Sequence, residues 1–185
     1  MQLLGRNPIS EPDPFGEFTP NPARRIHTKS PAESDSRYDI FADFPIIIDT
    51  REQHPYEFPK EIPTIRTALA TGDYSLRGFE ALITFERKSL EDYWGSITHG
   101  RERFFEELRR MQKIPPPNRS IIVESSWRAA ISFRDGSLIN PEAIKGTTLS
   151  IECDFGIPVH FLSDRQASQV WLLKFFERFL LKIKK

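Results

Sequence analysis

Apolar side chains along this chain come in two arrangements: short unbroken runs, and longer stretches in which they recur every three or four positions. Ile46-Ile47-Ile48 is a run of the first kind, and its length and continuity suit a strand over 45–49 that is buried on both faces. A Pro-rich loop over 52–63 leads to a strand over 64–69. Residues 74–76 and 81–85 read as two strands joined through the turn Arg77-Gly78. Ser89 with Asp92 has capping-box spacing, so a helix should begin there. A second helical pattern sets Phe104, Leu108 and Met111 on one face and stops before Pro115-Pro116-Pro117. Residues 120–124 read as another buried strand. Asn140-Pro141 is a cap followed by proline at the first helical position, opening a helix that ends near Gly156. A last strand covers 159–162, and Asp164 caps a C-terminal helix over 165–184. Strands alternating with helices predict an α/β fold, a central sheet with helices covering its faces.

The C-terminal helix carries more apolar surface than one core requires. Trp171, Leu172, Leu173, Phe175, Phe176, Phe179, Leu180 and Ile183 span an arc of roughly 200° at about 100° per residue, against roughly half that for a helix serving only its own core. The surplus points to a partner surface; a helix sandwiched within the fold is the other reading.

Composition changes the picture mainly at the N-terminus. Residues 1–44 hold six of the fifteen prolines, five basic and seven acidic residues and few Val, Ile or Leu, so they read as a mostly disordered arm ahead of a domain over 45–185. That domain carries 21 basic against 19 acidic residues, a net of +2, and the whole chain of 185 residues is neutral. An apolar run of about 18 residues is lacking, as is the long apolar core of a secretory signal, so no membrane partner is expected. The expected compartment is therefore the cytoplasm, or the nucleus in a eukaryotic cell. The single cysteine, Cys153, cannot bridge internally, and there is no Cys/His cluster for zinc. Fifteen Phe and three Trp supply the core instead.

The chemistry-bearing segment is Gly72-Asp73, twelve residues, then Glu86-Arg87-Lys88. Side chains alternate along a strand, so Glu86 and Lys88 face one way and Arg87 the other. The hairpin returns Asp73 beside Glu86, and Asp49 ends its own strand. That sets three carboxylates and an ammonium at one sheet edge, where the carboxylates, unpaired, repel one another unless a hard divalent cation with oxygen ligands joins them, Mg²⁺ or Mn²⁺. Such a cation orients water and stabilises charge on a phosphoryl group, with Lys88 adding its own charge. Phosphodiester hydrolysis follows; ordinary surface ion pairs are the alternative reading.

Ile48-Asp49-Thr50-Arg51-Glu52, Gly72-Asp73-Tyr74, and Glu86-Arg87-Lys88 followed by Asp92 together resemble the signature of the XPF-type structure-specific DNA endonucleases, GD, a gap, then ERKxxxD. The likeness runs on through Gly95-Ser96-Ile97, Gly100-Arg101 and Ile121-Ile122-Val123-Glu124. It implies a restriction-endonuclease-like fold, metal ligation by Asp49, Asp73 and Glu86, and a Lys88 that assists the attacking water or the phosphate. It implies roles at the site for Arg87 and Arg51, which on physical grounds either fork onto a phosphate or lock the carboxylates in place. Asp92 matches the last acid of the signature and also serves the capping box. Arg101 is expected on DNA phosphate, whereas the Arg103 spacing to Glu107 reads as an ion pair along the helix. Glu124 could reach the metal or simply end its strand, and Trp127-Arg128 with Phe133-Arg134 could stack on an unpaired base or anchor a loop.

Relatives in cellular organisms usually add a helix-hairpin-helix module, for which this chain leaves no room. DNA affinity is therefore expected from the domain itself, a homodimer through the C-terminal helix, the arm, or a separate DNA-binding partner. The compact layout from Asp49 to the Gly72-Asp73-Tyr74 hairpin looks like short bacterial or phage versions of the domain. The expected substrate is branched, flapped or forked DNA, in repair, recombination or phage DNA processing. A catalytically silent DNA-structure binder or assembly subunit is the alternative.

Overall fold

The computed structural model describes residues 36–132 and 140–184. Six strands form one sheet in the order β2-β1-β3-β4-β5-β6. They are β1 (Ile46–Ile48), β2 (Thr64–Arg66), β3 (Tyr74–Leu76), β4 (Thr84–Lys88), β5 (Arg119–Val123) and β6 (Val159–Phe161). Strand β3 runs antiparallel to both β1 and β4, whereas β1 with β2, β4 with β5, and β5 with β6 are parallel pairs. The sheet is therefore mixed, and the C-terminal ends of β1, β4, β5 and β6 lie along one edge.

Unbroken apolar runs mark strands covered twice. All of β1, β3 and β5 is buried, and along β5 the side chains alternate between two cores. Ile122 packs with Phe85, Tyr74 and α5 (Arg165–Ile183), while Ile121 and Val123 pack with α1 (Leu90–Ile97), α2 (Arg101–Met111) and α4 (Pro141–Phe155). The helix starts are where the caps predict: Ser89 Oγ accepts from Asp92 N at 3.1 Å, Asn140 Oδ1 from Glu142 N at 2.9 Å and Asp164 Oδ1 from Ala167 N at 2.8 Å. Gly156, at φ +61°, closes α4. Buried Arg119 then ties two helix ends to the sheet, donating to the carbonyls of Ile114 (2.6 Å), Phe155 (3.2 Å) and Gly156 (3.2 Å). A short helix not expected from the periodicity, α3 (Trp127–Ala130), is capped by Ser126; Phe133 and Arg134 lie outside the described residues.

Two expectations need correction. Packed chain begins ahead of residue 45: a 3-10 helix over Ser36–Phe41 places Phe41 in the core, and Phe44 meets Phe79 at 5.3 Å. Residues 36–44 contain no proline, and their aromatic side chains have a face of the domain to cover. Most of the wide α5 arc is also covered internally. Phe85 meets Trp171, Phe175 and Phe176 with ring centroids 5.8, 4.9 and 5.5 Å apart, and Phe79 meets Phe179 at 5.4 Å. Each such pair adds about 0.5–1.5 kcal/mol beyond area burial. The large apolar side chains still exposed on α5 are Val170, Leu181 and Ile183.

Candidate active site

The sheet edge at the ends of β1 and β4 gathers the predicted acids through backbone pairing. Asp49 N donates to Asp73 O and Asp73 N to Phe85 O, each at 2.8 Å, so Asp49, Asp73 and Glu86 follow one another across neighbouring strands. Gly72 permits that approach. Its φ of +76° lies in the left-handed region, and a Cβ there would come within 2.2 Å of Thr84 Oγ1. Period-two alternation along β4 holds as expected. Lys88 lies over the Phe104 ring at 4.8 Å, on the side of α2, while Arg87 points to the opposite side and forks onto Glu124 with contacts of 2.9 and 2.6 Å.

A polar cleft of about 520 Å³ opens over this edge, lined among others by Arg51, Asp73, Glu86, Lys88, Asp92, Arg103 and Glu107. Lys88 Nζ donates to Glu86 Oε1 at 2.9 Å, and the backbone N–H of Arg87 donates to Asp73 Oδ2 at 2.8 Å. Burial, and then the Glu86 charge, push the Asp73 carboxyl far above the ordinary carboxylate range. The same two causes raise Glu107. Burial works against the charge of Lys88, but the Glu86 carboxylate outweighs it and keeps the ammonium protonated.

Asp49 behaves differently. Its carboxylate is buried and takes four N–H groups: Arg51 N (2.8 Å) and Arg51 Nε (2.7 Å) on Oδ1, Leu69 N (2.6 Å) and Arg51 Nη2 (3.1 Å) on Oδ2. Burial opposes its charge, yet Arg51 and the two backbone donors outweigh that and lower its pKa. Arg51 thus locks a carboxylate, as one of its two readings held, while also lining the cleft. Arg87 does the same for Glu124 and sits 3.7 Å from Glu52; Arg165 completes that network at 3.0 Å from Glu124. Glu124 is thereby engaged away from the cleft acids.

Asp92 lines the cleft, and its carboxylate accepts from Ser89 Oγ at 2.7 Å. The two α2 arginines point to different surroundings. Arg101 donates to Thr147 Oγ1 at 2.9 Å and lies 4.4 Å over the Phe105 ring, tying α2 to α4, whereas Arg103 lines the cleft. The 100° step per residue separates the two faces. Glu107 is the acid that sequence reasoning treated only as an ion-pair partner. Its visible signal is position, three residues after Phe104 on the flank of the buried stripe.

Oxygen donors are what a hard divalent cation takes, and the raised pKa values of Asp73 and Glu107 mark carboxylates short of positive charge, so this donor set fits such an ion. As the side chains stand, no three His, Cys, Asp or Glu among the described residues form a ready ligating array.

Across residues 48–175 the chain matches the model of the ERCC4 domain. The chain belongs to the ERCC4 domain family. The family is one of structure-specific nucleases, and the ERCC4 match takes in every acid of the cleft. The protein named "Putative ATP-dependent RNA helicase MJ1505" of Methanocaldococcus jannaschii is 31% identical over 141 residues, which is 76% of this chain but 16% of that protein. XPF from Aeropyrum pernix superimposes with a TM-score of 0.54 at 20% identity, and the same protein in complex with DNA with 0.53 at 21%. In both, 76% of this chain is matched to 64% of the other, so this chain spans only part of each relative. The fold is that of an XPF-type nuclease domain, a restriction-endonuclease-like mixed sheet between helices.

Proposed function

We propose that this ERCC4 domain is a divalent-metal-dependent endonuclease that hydrolyses phosphodiester bonds in branched, flapped or forked DNA. The observation that carries the reading is one cleft holding Asp73, Glu86 and Lys88, two acids and a retained ammonium, over the edge of the sheet. Asp73 and Glu86 would hold Mg²⁺ or Mn²⁺, which supplies a water of lowered pKa and offsets charge on the phosphate. Lys88, fixed by Glu86 at 2.9 Å, stands ready to hold a phosphate oxygen or the attacking water. Arg51 and Arg103 line the same cleft and offer guanidinium groups to the DNA backbone. Asp49 acts through Arg51, whose guanidinium it holds in place. Arg87 acts on the Glu124 network rather than on substrate, and Asp92 fixes the start of α1 at the cleft mouth.

On this reading the nuclease unit includes the packed segment from Ser36 onward, with the Pro-rich arm ahead of it. The working compartment is the cytoplasm of a bacterial or phage-infected cell, and the described residues hold no helix long and apolar enough to cross a membrane. Val170, Leu181 and Ile183 on α5 support a homodimer through that helix, with a separate DNA-binding partner as the other source of affinity.

The test is strand nicking of forked, flapped and four-way DNA with and without Mg²⁺, beside Asp73→Asn and Lys88→Ala. Metal-dependent nicking by the parent and its loss in both variants is the expected result. Binding without cleavage by the parent overturns the enzyme reading in favour of a silent DNA-structure binder.

A further inference from the structure

Resting on the nuclease reading above, we propose that Glu107, delivered by helix α2, is the third carboxylate of the metal centre, in the place that the signature gives to Asp49. A carboxylate offers about four lone-pair positions, and Asp49 already spends four of them on Arg51 and on the backbone of Leu69. Freeing one for a cation means breaking contacts that a buried carboxylate already makes with a guanidinium and two backbone N–H groups. Asp73 and Glu86 are not in that condition. One oxygen of each has a short donor contact, from Arg87 N and from Lys88 Nζ, and the carboxylates keep further capacity.

Glu107 lines the same cleft as those two acids, close enough for the Glu86 charge to act on it. Carboxyl groups that share one cleft can turn their oxygens toward one ion. The Glu107 side chain comes from a helix rather than the sheet, is only half-buried, and can turn toward an ion without disturbing the strand ladder. Asp49 is then left to anchor Arg51 at the cleft wall. A metal centre with ligands from β3, β4 and α2 also couples the position of α2, and so of Arg103, to the presence of the ion.

The experiment is Mn²⁺ binding to the full chain without DNA, by titration calorimetry and by the loss of the free-ion EPR signal. Even an outer-sphere partner of a metal ligand is worth about 10–100-fold in affinity, so Glu107→Gln should weaken Mn²⁺ at least tenfold, as Asp73→Asn should. Glu106→Gln, an exposed neighbour on α2, should bind as the parent does. The melting temperature of metal-free Glu107→Gln should equal or exceed that of the parent, and Glu107→Asp should bind at intermediate strength if the Gln variant does not fold. Parent-like affinity in Glu107→Gln, with Asp73→Asn weakened, overturns the role of Glu107 alone. A parent that binds no Mn²⁺ overturns the nuclease reading together with it.

Discussion

Gly72→Ala tests the geometry that sets Asp73 beside Glu86. An L residue at φ +76° costs about 1–2 kcal/mol. The added Cβ would also meet Thr84 Oγ1 at 2.2 Å and Phe85 O at 3.0 Å. Thr84 cannot swing aside cheaply, because it is buried and its hydroxyl donates to Thr71 O at 2.8 Å. Overpacking of this kind costs about 1–3 kcal/mol, so the total is roughly 3 kcal/mol. For a domain of this size, 1 kcal/mol moves the melting temperature by about 2–4 °C, and the expected drop is about 6–12 °C. Displacing Asp73 by an ångström should also cut nicking by about 100-fold.

Thermal unfolding followed by circular dichroism reads the first effect, and a double-mutant cycle with Thr84→Ala separates its parts. Thr84→Ala alone loses one hydrogen bond, about 1 kcal/mol. Combined with Gly72→Ala it removes the nearest obstacle, so the pair should cost less than the sum by at least about 1 kcal/mol. A Gly72→Ala protein melting within about 2 °C of the parent, against the scale above, or a strictly additive cycle, would refute the close-approach argument.

Arg103→Ala should weaken DNA binding and lower the salt slope of log K by about one, whereas Arg101→Ala should leave the slope alone and lower the melting temperature through loss of the Thr147 contact; fluorescence anisotropy across a salt series checks the slopes and thermal unfolding the stability. Asp73 and Glu107 bind protons more tightly in the folded chain than in the unfolded one, where carboxyls titrate near about 4. Their contribution to stability is full below that range and is lost as pH rises through their raised values. Without divalent cation the melting temperature should therefore fall toward alkaline pH, and Mg²⁺ or Asp73→Asn should remove most of the fall; a midpoint that declines identically in Asp73→Asn contradicts the assignment. Asp49 has the opposite sign, its contribution disappearing only as pH falls below the ordinary carboxylate range.

Where local rules act alone, the chain was legible as a sequence. Ile46-Ile47-Ile48 and Ile121-Ile122-Val123 are apolar without interruption because both faces of the sheet are covered. Ser89, Asn140 and Asp164 cap helices because their oxygens reach backbone donors two or three residues on. Glu86 and Lys88 share a face, with Arg87 opposite, because a strand repeats every two residues. From these, and from the Gly72-Asp73 and Glu86-Arg87-Lys88 spacing, the fold class followed, as did the meeting of Asp73, Glu86 and Lys88 at one sheet edge.

Tertiary structure decided what depends on groups far apart in the chain. Asp49 and Glu107 are both acids near the cleft, yet only packing shows one saturated by Arg51 and Leu69 and the other left against Glu86. Arg101 and Arg103 differ by two positions, and the rotation of α2 against α4 sends one to Thr147 and the other to the cleft. The wide apolar arc of α5 is mostly spent on Phe79 and Phe85, and Phe41 finds its cover on the same side of the sheet. A sequence specifies which side chains want burial, charge or a donor, because those are properties of single residues and their near neighbours. Which partner satisfies each want is settled only when the chain closes on itself and distant groups compete for the same few ångströms.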